Sequence, residues 1–138
     1  MQSWLVYALI VLLLWGFYGF FPKLSVAHMG PKSALLFQTV GAIIVSLIVF
    51  IFALKFKAET NPKGMLFSIL TGTAGTIGAL FFLAALSAGG KTSVVVTLTA
   101  LYPLVTIVLS VFLLNETITL VQVIGMFLAL VAIIIMTR

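Results

Sequence analysis

Long uncharged apolar runs separated by short polar breaks organise this chain. Five runs stand out, at about residues 4–21, 34–54, 64–86, 94–114 and 118–136, and none contains Asp, Glu, Lys, Arg or His. Each holds roughly 18 to 23 residues, the length a helix needs to cross a hydrocarbon core of about 30 Å. Strands of a membrane barrel would alternate in polarity over about 10 residues. These runs do not alternate, so they predict an all-α integral membrane protein with five transmembrane helices.

The breaks are short. Residues 22–33 form the longest and contain Pro22, Gly30 and Pro31. Residues 55–63 are polar, with Lys55, Lys57, Glu59, Asn61-Pro62 and Lys63. Gly89-Gly90-Lys91 separates the third run from the fourth. Asn115-Glu116-Thr117 is a tight turn, in which Thr117 reads as the N-cap of the last helix and Glu116 lies near its positive end.

Composition narrows the reading further. Of 138 residues, 64% are apolar and 7% are charged, against about 25% charged in soluble domains. The length fits a single domain, 1–138, with no room for a soluble catalytic part. No cysteine is present, which removes disulfides, thiolate metal sites and Cys nucleophiles. The net charge of +5 comes from basic residues placed singly in loops, where they face anionic lipid. A nucleic-acid site would cluster them on one soluble face. The first run has no basic leader and exceeds a signal-peptide core, so it reads as a retained span. Gly90-Lys91-Thr92 resembles the end of a phosphate loop, but Ala85 stands where that loop needs its first Gly.

Five crossings put the termini on opposite sides. Lys23, Lys32, Lys91 and Arg138 then share one side, against Lys55, Lys57, Lys63 and the N-terminal amine on the other. Orientation follows asymmetry of basic residues, and here there is almost none. Dual topology follows, with copies inserted both ways and paired head to tail. The alternative is one orientation set by the charge cluster in the second loop.

Helices in lipid associate through close packing and hydrogen bonds, so small and polar residues mark interior faces. The third run carries Gly72, Gly75 and Gly78, a smooth face for either a sliding or a static contact. In the fourth, Thr99, Pro103, Thr106 and Ser110 recur at helical spacing, with Tyr102 alongside. Pro103 lacks a donor and frees a backbone carbonyl, which suits a wet cavity; alternatively the hydroxyls bond within their own helix. Trp4 and Tyr7 form an interfacial belt. Trp15 lies roughly 16 Å deeper than Trp4 and reads as a cavity wall or gate, or as a second belt with Tyr18. Gln38 points inward for solute or for helix–helix bonding. Gln122, Gly125, Ala129 and Ala132 form a packing seam. No nucleophile–base pair and no ligand cluster appears, so neither an enzyme nor a metal or cofactor site is expected.

The block from Leu98 through Tyr102-Pro103 and Asn115-Glu116 to Gln122 and Gly125 resembles the signature of the EamA-like family of the drug/metabolite transporter superfamily. Family units carry a Pro in the fourth helix, a Leu-Gly-Glu turn and a Gln-x-x-Gly entry to the fifth; here Asn115 stands for the turn Gly. Trp15-Gly16 and Lys23 also match. The resemblance covers essentially the whole chain. Most members join two such units, related by inversion, in ten helices. It therefore implies an EamA-type unit completed by an antiparallel second copy or a paralogue, in a prokaryotic inner membrane. The related small multidrug resistance proteins carry a membrane Glu that is missing here, so uncharged or zwitterionic solutes such as amino acids fit better. The expected function is transport of small organic metabolites by alternating access. Trp15, Tyr18, Gln38, Thr99, Tyr102, Pro103 and Thr106 would line the cavity. Gly72, Gly75, Gly78, Gly125 and Ala129 would serve packing and rocking, and Glu116 would cap or gate. The alternatives are a flippase subunit for a lipid-linked sugar and a non-transporting assembly subunit.

Overall fold

A computed structural model describes the backbone of residues 3–56 and 61–136. Lys57, Glu59 and Arg138 lie outside the described residues, as do the side chains of Trp4 and Lys55. The described residues are helical, with no strand among them: α1 Ser3–His28, α2 Pro31–Phe56, α3 Pro62–Ser87, α4 Thr92–Thr99, α5 Tyr102–Leu114 and α6 Leu120–Met136. α1, α2, α3 and the stretch Thr92–Leu114 are long and apolar enough to cross a membrane, and α6 is a shorter apolar helix of 17 residues. At 1.5 Å per residue, α6 is about 25 Å long, the short end of a spanning helix.

The helices outrun the apolar stretches that predict them. α1 does not stop at Pro22 but continues to His28. The expected 22–33 loop shrinks to Met29 and Gly30. Pro22 removes one backbone bond, yet it is buried against neighbouring helices, where such a gap is tolerated in membrane helices. Lys23 and His28 thus ride on α1. α3 starts at Pro62, because Asn61 caps it: Asn61 Oδ1 accepts from the Lys63 N–H at 3.0 Å and the Gly64 N–H at 3.2 Å. Pro62 follows at the first helical position, where no amide donor is needed.

The chain forms two compact units, Met1–Gly89 and Gly90–Arg138. In the first, α3 packs on both α1 and α2. Among the described residues, the buried ones are Gly19 and Pro22 on α1, Ala34 on α2, and Ala79, Leu83 and Leu86 on α3. All six lie toward one end, where α1 finishes, α2 begins and α3 finishes. Small residues at 19, 34 and 79 let the backbones meet there around Leu83 and Leu86, each 1% exposed. Among the described residues, no side chain toward the opposite end is buried. A Cβ built on Gly72, Gly75 or Gly78 meets nothing within 4 Å, so this face of α3 is open. The close packing of the first unit that the described residues show is thus at the end of the first and third loops.

In the second unit, the fourth expected span is not one continuous helix. It breaks at Ala100 and Leu101. The Leu101 N–H donates to the Leu98 carbonyl at 3.2 Å and the Leu104 N–H to the Leu101 carbonyl at 2.9 Å, both tightened three-residue bonds. Pro103, in the first turn of α5, cannot donate, and the break forms there. α5 ends on Asn115 with φ 54° and ψ 33°, a left-handed conformation that Asn adopts more readily than other side-chain-bearing residues.

Candidate functional site

α1 and α2 bring two of the expected cavity residues together. Ala34 is the buried point of α2, and Gln38 lies one turn further along the same face. Tyr18 adjoins buried Gly19 on α1. Gln38 Nε2 donates to Tyr18 Oη at 2.9 Å. The bond lies on the exposed side of α1 and α2, immediately before the buried end. It compensates the cost of placing an amide among apolar helices. Gln38 keeps its Oε1 acceptor, and Tyr18 keeps its O–H donor for a further partner. Trp15 is three residues before Tyr18, on the same side of α1 and half exposed. An aromatic wall beside one donor and one acceptor can hold a small organic solute without any formal charge.

Lys23 closes the same unit from its packed end. Its Nζ donates to the Leu86 carbonyl at 3.2 Å, from a half-buried position. Leu86 lies in the last turn of α3, where carbonyls carry partial negative charge; its oxygen also accepts from the Gly89 N–H at 3.4 Å. The ammonium thus ties α1 to the end of α3. Reading residues 22–33 as loop left this bond unseen.

The fourth-span residues are arranged differently from expectation. The break at Ala100–Leu101 separates Thr99 from Pro103 and Thr106, so their sequence spacing does not build one unbroken helical face. Thr99 Oγ1 donates to the Val95 carbonyl at 2.9 Å and the Val96 carbonyl at 3.0 Å. Thr106 Oγ1 donates to the Tyr102 carbonyl at 3.4 Å. Both hydroxyls are satisfied on their own helices. Tyr102 is exposed at the start of α5.

The cap of α6 also moves. Thr117 and Glu116 do not supply it. Thr119 Oγ1 accepts from the Gln122 N–H at 3.3 Å, and Gln122 Oε1 accepts from the Thr119 N–H at 2.7 Å. This is a reciprocal capping box, a Thr followed three residues later by Gln. The Thr-x-x-Gln spacing is present in the sequence, where it competes with the packing-seam reading of Gln122. The Glu116 N–H donates to the Ser110 carbonyl at 3.3 Å, completing the end of α5.

Within this unit a groove of about 480 Å³ runs between the α4–α5 break and α6. Ala100, Pro103 and Ile107 line one wall, and Gly125, Ala129 and Ile133 the other, with Glu116, Thr117 and Gln122 also lining it. Pro103, Gly125, Ala129 and Glu116 are thus brought together. Leu101, Leu104 and Met126 join them, although plain apolar residues in an apolar run carry no signal that singles them out.

Comparison with known proteins gives the wider context. The model of the EamA-like transporter family matches residues 2–138. An uncharacterized protein of Methanocaldococcus jannaschii is 34% identical over 140 residues, which cover 99% of this chain and 98% of that protein. No solved structure matches.

Proposed function

Because the chain belongs to the EamA-like transporter family, a family of multi-pass membrane transporters, we propose that it is one half of a carrier for small uncharged or zwitterionic metabolites. Two copies inserted in opposite senses, or one copy and a paralogue, complete it in a prokaryotic inner membrane. The observation that carries the substrate reading is the Tyr18–Gln38 bond beside the packed end of the first unit. It offers hydrogen bonding and an adjacent Trp15 face but no formal charge, which suits amino-acid-like solutes. The nearly even split of basic residues supports the antiparallel pairing. So does the odd number of crossings, since inverted repeats related by an axis in the membrane plane are a recurrent transporter design.

The one-ended packing of α1, α2 and α3 supports alternating access. In an antiparallel pair, the closed end of one copy lies on the same side of the bilayer as the open end of the other. Exchange of the two states then exposes the central solute to each side in turn. The open glycine face of α3 gives a smooth surface for that movement.

Uptake of labelled neutral amino acids into proteoliposomes tests this reading. Tyr18→Phe and Gln38→Leu each remove a hydrogen-bonding group and are expected to cut flux about tenfold, the effect of losing one bond of about 1.4 kcal/mol. Trp15→Ala is expected to raise KM. Unchanged flux in all three folded variants refutes the site, and transport by an isolated monomer refutes the pairing.

A further inference from the structure

The groove of the second unit lies apart from Tyr18 and Gln38 in the chain and has its own chemistry. Its long walls are apolar. Along α6 it extends from Gln122 to Ile133, about 16 Å at helical rise. Its volume of about 480 Å³ falls within the roughly 300–1,000 Å³ of small-molecule sites. A gap of that size in hydrocarbon surroundings does not stay empty, because its lining atoms would forfeit dispersion contacts.

The polar residues are collected where the α5–α6 turn meets the groove. Glu116 supplies a carboxylate, and no hydrogen bond or ion pair to a described residue engages it. Gln122 is held by the capping box through Oε1, which leaves its Nε2 donors for another acceptor. One acceptor charge thus stands beside an amide donor, next to an apolar channel.

From this arrangement we infer that the groove binds one aminophospholipid of the surrounding bilayer. The lipid ammonium pairs with the Glu116 carboxylate. A phosphate oxygen accepts from Gln122 Nε2, and one acyl chain lies between Pro103 and Ala129. The charge order discriminates among lipids. A phosphatidylglycerol brings only a negative phosphate toward Glu116, and a phosphatidylcholine brings a cation without N–H donors. The lipid fills the space between α6 and the α4–α5 break and holds α6 in place. This does not depend on the transport reading.

The test uses the purified full-length protein in detergent, with native mass spectrometry after addition of phosphatidylethanolamine, phosphatidylcholine or phosphatidylglycerol. Phosphatidylethanolamine is expected to be retained best and phosphatidylglycerol least. Glu116→Gln is expected to lower ethanolamine-lipid retention about threefold, as for one partly exposed ion pair, and to raise retention of the glycerol lipid, whose phosphate then meets no like charge. A phosphatidylethanolamine carrying a diazirine in its acyl chain locates the site without relying on a variant. Label is expected on residues 101–107 and 126–133. Equal retention of the three lipids, no effect of Glu116→Gln, or label spread evenly over the apolar helices overturns the proposal. Disulfide formation between second copies through Ala129→Cys in lipid-replete membranes does so as well, since a protein segment would then occupy the groove.

Discussion

Asn115 shows how much one residue can carry. The turn between α5 and α6 needs a left-handed residue, and φ 54° at Asn115 meets that need. A Gly at this position, usual in the family this sequence resembles, satisfies the same geometry with no Cβ to clash. Asn115→Gly is expected to leave thermal stability in detergent unchanged or slightly raised. Asn115→Val is expected to cost about 1–2 kcal/mol, and an unaltered melting temperature would contradict the turn geometry. Lys23 is a second such residue. Lys23→Met removes the donor to the Leu86 carbonyl and is expected to destabilise by about 1.5 kcal/mol, the low end for a charged hydrogen bond because the site is half-buried. Lys23→Arg should retain most of it. Thermal unfolding followed by circular dichroism separates the two variants.

At the level of elements, ends and breaks matter more than spans. Residues 94–114 are apolar throughout, and hydropathy cannot distinguish one helix from two joined end to end. Backbone hydrogen bonding makes the distinction: Pro103 has no donor, and the chain tightens at Leu98–Leu101 and Leu101–Leu104. Pro103→Ala restores the donor and is expected to fuse α4 and α5. Hydrogen exchange at residues 100–104 should slow accordingly; unchanged exchange would remove Pro103 as the cause. Caps follow the same logic. Asn61→Ala is expected to destabilise α3 by about 1 kcal/mol, read as faster exchange at Lys63 and Gly64. The Asn61-Pro62 and Thr119-x-x-Gln122 patterns were both visible in the sequence. They compete with turn and packing readings of the same residues, and only the hydrogen bonds decide between them.

At the level of the whole molecule, the prediction concerns insertion. The absence of cysteine makes substituted cysteines clean probes. Tags fused to the C-terminus are expected to be found on both sides of the membrane in comparable amounts. Adding two Lys to the second loop should bias the population to one orientation and reduce flux in parallel. Strictly one-sided tags in the unmodified protein would rule out dual insertion and leave a paralogous partner.

Membrane residence, helical class and family were written in the order of the residues, because a bilayer demands about 20 uncharged apolar residues per crossing and a backbone satisfied within each segment. That demand is local, and local patterns express it. Pairings between distant residues are of another kind. Tyr18 with Gln38, Lys23 with the Leu86 carbonyl, and the gathering of Pro103, Glu116 and Ala129 along one groove depend on where helices cross. Crossing points follow from how small residues such as Gly19, Ala34 and Ala79 let backbones approach. In chains this uniformly apolar, hydrophobic patterning leaves those faces nearly equivalent, and packing in three dimensions selects among them.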